Sequence, residues 1–138
     1  MILLDTNVLI YGFDPVSPFH LWAAGIIRQN LLGEGVAINP VILAELCVGD
    51  VAPDTVSERL ETLGFVMLDL PPAASSRCAT AYAKYLENRR LQSVPAAPKL
   101  PLPDFFIGAH ASILNLTLAT ADVGRYETYF PEVQLLTP

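Results

Sequence analysis

Positive charge is scarce in this chain. Eight Lys and Arg stand against 14 Asp and Glu in 138 residues, a formal net charge of −6. That balance excludes a protein that grips polyanions through a broad basic field. Cysteine is sparse too. Cys47 and Cys78 are the only two, and both lie in apolar helical patterns where a small buried free thiol is expected. This excludes a disulfide framework, and a cytoplasmic location is the expectation. No uninterrupted apolar run is long enough to span a membrane. Met1-Ile2-Leu3-Leu4 has no basic segment before it and is cut short by Asp5, so it is not expected to act as a secretory signal. Prolines and glycines follow no period, which excludes collagen-like and repeat architectures. What the chain does have is apolar bulk: 52% of it is hydrophobic and only 16% charged. It can build a large core, and it is expected to bury part of its exterior against a partner.

Helical and extended patterns alternate along the sequence, which indicates an α/β layered fold in one domain, residues 1–138. Ile2 to Leu4 reads as a buried parallel strand. Ser17-Pro18 opens a helix to about Leu32, with Leu21, Trp22, Ile26 and Ile27 inward, stopped by Gly33-Glu34-Gly35. Val36 to Ile38 is a second strand, and Asn39-Pro40 starts a helix to about Val48. Asp54 caps a helix that ends at Gly64, and Phe65 to Leu70 is a third strand. Ala73 to about Arg90 is a long helix with Ala79, Tyr82, Ala83 and Leu86 inward. Ser93 to Pro103 carries four prolines and reads as a stiff loop. Asp104 opens a helix to about Asn115, Leu116 to Thr120 is a fourth strand, and Val133 to Leu136 is a candidate edge strand.

Four carboxylates resist explanation as surface charge. Asp5 closes the first strand, and the carboxyl ends of strands are where open α/β sheets bind ligands. Glu45 is the only polar residue between Val41 and Val48, so its helix has no polar face there. A buried carboxylate must pair, coordinate a metal or take up a proton, unless it reaches out at the rim. Asp104 follows Pro103, and the residues leave open whether it is an N-cap or part of a site. Asp122 lies just past the fourth strand. A turn Asp means little alone, but two strands ending in the same chemistry mean more. Four acids converging at one sheet edge would repel, and a divalent cation resolves that. Oxygen-only ligation suits Mg²⁺ or Mn²⁺ rather than Zn²⁺, and such ions serve phosphate chemistry.

Four segments occur in order: Leu4-Asp5-Thr6-Asn7, Ala44-Glu45-Leu46, Pro103-Asp104-Phe105-Phe106-Ile107-Gly108-Ala109-His110-Ala111, and Leu118-Ala119-Thr120-Ala121-Asp122 followed by Arg125-Tyr126. Together they span nearly the whole chain, and in them it resembles the PIN domains, in particular the stand-alone VapC-type ribonuclease toxins. The resemblance implies a PIN-like three-layer α/β/α sandwich around a mainly parallel sheet. It implies a metal-dependent endoribonuclease with Asp5, Glu45, Asp104 and Asp122 as the catalytic acids and Mg²⁺ or Mn²⁺ ligands. Thr6, Asn7 and Thr120 would position those ligands or a water. RNA as substrate, inhibition by a cognate antitoxin and homodimerisation are further implications. The chain departs from the pattern at Ala121, where many relatives carry a basic residue.

Among the few basic residues, Arg89, Arg90, Lys99 and Arg125 are the candidate contacts to RNA phosphate. Helix-end charge is the other reading for the Arg89-Arg90 pair, and pairing with an acid the other for Arg125. His20 and His110 read as structural, and Trp22, Tyr82 and Tyr85 as core or interface packing before base stacking. Two rival functions stand beside the nuclease. A haloacid-dehalogenase-like phosphatase also starts from an Asp after an apolar strand but needs a second acid two residues on, where this chain has Asn7. A non-catalytic module of the same fold has no use for four clustered acids.

Overall fold

The computed structural model describes residues 1–92 and 101–138. Five short strands form one sheet: β1 Ile2–Leu4, β2 Val36–Ile38, β3 Val66–Met67, β4 Thr117–Ala119 and β5 Leu135–Leu136. Their spatial order is β3-β2-β1-β4-β5, and every pairing is parallel. The sheet is central, as expected, and its two edges are two-residue strands. β3 is much shorter than the span Phe65 to Leu70: the Leu68 N–H still bonds to Ile38 O at 2.9 Å, and the chain then leaves the sheet ahead of Pro71 and Pro72.

The helices are α1 Thr6–Phe13, α2 His20–Leu31, α3 Pro40–Val48, α4 Val56–Thr62, α5 Ala73–Leu91, α6 Leu102–Leu114 and α7 Val123–Tyr129, with a 3₁₀ turn Pro53–Thr55 before α4. Strands β1, β2 and β3 progress one way across the sheet, while β4 and β5 lie on the other side of β1. Parallel crossovers are right-handed, so α1 to α4 cover one face and α5 to α7 the other. The contacts agree: α1 packs on α2, and α5 packs on both α6 and α7. The result is a three-layer α/β/α sandwich. β1 is the strand where the chain's progress reverses. Its carboxyl end, beside that of β4, is therefore the crevice such sheets use for ligands.

Local sequence explains the elements well in places. β1 and β2 are apolar throughout and fully buried. Asn39 Oδ1 accepts the Ile42 N–H at 2.9 Å, and Pro40 occupies the first turn of α3. Gly64, at φ +100°, follows α4 in a conformation that an L side chain rarely adopts.

Elsewhere the structure corrects the sequence reading. α1 starts directly at Thr6, in a stretch where the sequence pattern assigned no element. Thr6-Asn7-Val8-Leu9-Ile10-Tyr11-Gly12-Phe13 is poor in strong helix formers, but burial of Val8 and Leu9 overrides propensity. α7 is also unanticipated, for the same reason. α2 begins at His20, since Ser17 Oγ accepts the Phe19 N–H in a local turn instead of capping a helix. Leu21 is 88% exposed, and Ala23 and Ile27 form the buried stripe. Asp54 lies within the 3₁₀ turn and does not cap α4. On α5 the inward stripe is Ala74, Cys78 and Ala81, so Ala79, Ala83 and Leu86 face outward and Tyr82 is half-buried. The long helix is nearly neutral in amphipathic pattern, and small residues set its face.

Candidate active site

Asp5 sits between β1 and α1, its N–H bonded to Ala119 O of β4 at 2.9 Å. It is 3% exposed, and its two carboxylate oxygens have different surroundings. Oδ1 accepts one bond, from the Thr6 N–H at 2.8 Å. Oδ2 accepts three, from Thr120 Oγ1 at 2.8 Å, Asn7 Nδ2 at 3.1 Å and the Tyr126 hydroxyl at 3.1 Å. Burial pushes the carboxyl up to about 6, the Asp104 charge adds to this, and the Thr120, Tyr126 and Thr6 hydrogen bonds oppose it. The Tyr126 phenol is pushed well above its ordinary range, first by burial and then by the Asp5 charge. It therefore stays protonated and donates.

The residues around Asp5 are themselves fixed by backbone. Asn7 Oδ1 accepts the Ala121 N–H at 3.2 Å, which settles the orientation of its amide. Thr120 Oγ1 accepts the Asp122 N–H at 3.0 Å, leaving its own hydrogen for Asp5. Thr6 Oγ1 donates to Glu45 Oε1 at 2.8 Å, so the residue after Asp5 ties α1 to α3. Glu45 is half-buried, at the rim of a helix on which Ala44 and Val48 are exposed. The apolar run in α3 is thus only partly buried, and Glu45 gains a hydroxyl partner where it meets α1.

Asp104 lies in the first turn of α6, two residues inside it; Pro101 holds the N-cap position. Its carboxylate pairs with Arg125 Nη1, and the same nitrogen lies 3.9 Å from Asp122 Oδ2. Desolvation raises the Asp104 carboxyl, Arg125 lowers it, and the charges of Glu45 and Asp122 raise it again. Asp122 is the half-exposed N-cap residue of α7, though its side chain makes no cap bond.

All four predicted acids therefore lie in one electrostatic neighbourhood, arranged in two halves. Thr6 links Asp5 to Glu45, and Arg125 bridges Asp104 and Asp122. Among the described residues no three acids close on one point as a finished metal cage. The donor set still fits a hard divalent cation. It is all oxygen, it holds four carboxylates against one guanidinium, and Oδ1 of Asp5 keeps a lone pair beyond its single backbone bond.

The predicted basic residues are dispersed. Arg125 is spent on the acids. Arg90 pairs with Glu87 on the surface of α5, Arg89 lies over the Tyr85 ring, and Lys99 lies outside the described residues. His110 is structural: it is fully buried and its Nδ1 accepts from Asn39 Nδ2 at 3.0 Å. Tyr126 was missed. It belongs to the same seven-residue α7 that follows Asp122 and carries Arg125. Its hydroxyl, in an apolar i, i+4 stripe with Phe130, was the signal available in the sequence.

Acids at the ends of β1 and β4, one on α3 and one in the first turn of α6 make a recognisable set in a parallel sheet of this order. The sequence profile of the PIN domain family matches residues 2–131. The chain belongs to the PIN domain family. No curated protein matches it in sequence. Solved structures do match this PIN domain over its length. FitAcB from Neisseria gonorrhoeae is similar at 25% identity, with 100% of this chain and 98% of that one covered and a TM-score of 0.66. A toxin–antitoxin complex from Klebsiella pneumoniae matches at 21% identity, 100% and 98% coverage and a TM-score of 0.67. VapBC2 from Rickettsia felis, bound to a DNA fragment from its promoter, matches at 19% identity, 100% and 99% coverage and a TM-score of 0.65.

Proposed function

We propose that this PIN domain is a Mg²⁺- or Mn²⁺-dependent endoribonuclease that acts as the toxin of a toxin–antitoxin pair. The observation that carries the reading is Asp5. It is a buried carboxylate at the reversal point of the sheet that feels the charge of Asp104, and Asp104 in turn feels Glu45, Asp122 and the Arg125 cation. Asp5, Glu45, Asp104 and Asp122 would hold the ion. When bound it neutralises charge on the scissile phosphodiester and lowers the pKa of a water, the usual contributions of such ions to phosphate chemistry.

The chain's own residues do the rest. Thr120, Asn7 and Tyr126 hold Asp5, Thr6 holds Glu45, and Arg125 keeps Asp104 and Asp122 together. In this reading Arg89, Arg90, Lys99 and Arg125 remain the candidate phosphate contacts, of which Arg90 and Arg125 would first have to leave Glu87 and Asp104. An antitoxin partner is supported by the toxin–antitoxin complex among the structural neighbours. A homodimer is supported by the exposed apolar surface at Val48, Val51 and Leu102, and a cytoplasmic location by the unpaired Cys47 and Cys78.

The phosphatase alternative lacks its second acid. Asn7 stands in that place, its amide oxygen accepting the Ala121 N–H, and a side-chain amide neither gives up nor takes the proton such chemistry requires. Digestion of total RNA, with the new ends mapped, tests the proposal. The wild type should cleave with Mn²⁺ or Mg²⁺ and stop in EDTA, and Asp5→Asn should lose at least a hundredfold of the rate. Cleavage that persists in EDTA, or equally in Asp5→Asn, would overturn it. No cleavage with either ion would favour the non-catalytic module.

A further inference from the structure

We propose that Tyr126 is a positioning residue of the acid cluster, which together with Thr120 and Asn7 holds Oδ2 of Asp5 so that Oδ1 is the oxygen offered to a divalent cation. This inference rests on the metal site proposed above. A carboxylate oxygen has about two in-plane lone-pair positions, and Oδ2 already faces three donors, at 2.8, 3.1 and 3.1 Å. None of the three is free to turn away. Asn7 is oriented by the Ala121 N–H, and Thr120 by the Asp122 N–H. The Tyr126 side chain is fully buried, and among the described hydrogen bonds its hydroxyl has Asp5 as its acceptor.

Among the described residues Oδ1 accepts only the Thr6 N–H and is the oxygen left for a ligand. Thr120 and Asn7 belong to the neighbourhood of Asp5 itself, at the ends of β4 and β1. Tyr126 comes from α7, whose other site groups are Asp122 and Arg125. Its hydroxyl is therefore a second tie, beside Thr120 Oγ1, between the Asp5–Glu45 half of the cluster and the Asp104–Asp122 half. Removing the hydroxyl takes one of the three donors from Oδ2, leaves it held by Thr120 and Asn7 alone, and loosens the placement of α7 against β1.

The test is Tyr126→Phe in the full chain, which deletes one oxygen and keeps the ring against Phe130. Mn²⁺ affinity is measured by titration calorimetry, and thermal unfolding is measured in EDTA. The expected result is cooperative unfolding with Mn²⁺ affinity reduced about ten- to hundredfold, the range for residues that orient metal ligands. If the wild type binds Mn²⁺ and Tyr126→Phe binds it within twofold, the inference is overturned and the metal site stands, whatever happens to the melting temperature. If the wild type binds no Mn²⁺, the metal site falls and the inference with it. Should Tyr126→Phe fail to fold, wild type labelled with ¹³C at tyrosine Cζ serves instead. The resonance of the tyrosine shielded from a soluble paramagnet should shift on Mg²⁺ saturation, and an unmoved resonance would overturn the proposal.

Discussion

A carboxyl group that titrates at about 6 when folded, against 3.8 ordinarily, binds a proton more readily in the native chain than in the unfolded one. Stability from Asp5 is therefore lowest above pH 6 and recovers as pH falls through that value toward 3.8, a swing of about 3 kcal/mol. His110 works the other way: burial lowers its affinity for a proton, so its contribution is lost as pH falls below the unfolded value. Comparing wild type with Asp5→Asn in EDTA cancels the histidine. The wild type should gain on the variant by about 2 kcal/mol between pH 8 and pH 4.5 in chemical denaturation, and a constant difference would refute the assignment. Arg125→Met removes the cation between Asp104 and Asp122. Because the pair is partly exposed, the loss in metal-free stability should be about 1 kcal/mol, or 2–4 °C in melting temperature. The gain on adding Mn²⁺ should grow, since the acids then have no internal counter-charge. The acids themselves were legible from strand ends and from an acid in an apolar helix. Tyr126 was not, because an aromatic in an apolar stripe reads as core and the acceptor of its hydroxyl lies 121 residues away.

Helices α1 and α7 show where pattern reading fails. Both are short and made of weak helix formers, and both are held by what they pack against rather than by propensity. Helix α3 is the opposite case: its Asn39-Pro40 start was readable in advance, and the structure adds what the cap is bonded to. Asn39 Oδ1 takes the Ile42 N–H while its Nδ2 donates to His110 Nδ1, which leaves the hydrogen of the imidazole on a buried Nε2 without a partner among the described residues. Asn39→Ala should cost about 2 kcal/mol, with a melting temperature several degrees lower, and should weaken Mn²⁺ binding through the helix that carries Glu45. Gly108 is the contact between α6 and α7. A methyl group there would lie 2.5 Å from the Phe130 ring, so Gly108→Ala should destabilise by about 1–3 kcal/mol in thermal unfolding. A neutral effect would mean that α7 is more loosely docked than the structure indicates.

Strand order decides where the chemistry sits. The acids at residues 5 and 122 are distant in sequence, and only the placement of β4 against β1 makes them neighbours. The alternating pattern announced an α/β sandwich, but it carried no information on which strands adjoin, because every strand is a short apolar run of the same kind. Charge acts on the whole molecule as well. Arg59, Arg77, Arg90 and Arg125 are paired with acids, so few cations are left to contact phosphate. RNA binding by a cleavage-impaired variant such as Asp5→Asn should therefore show a shallow salt dependence, with a log–log slope no steeper than about −3 in filter binding. A slope near −8 would mean that a basic surface exists elsewhere. The most direct test of the metal site is a Mn²⁺ anomalous difference map from crystals of the wild type. The account predicts one peak at about 2.1 Å from Oδ1 of Asp5, with the Asp104 carboxylate turned to it and Arg125 displaced. A peak bound through Oδ2, or none within the reach of Asp5, would contradict it.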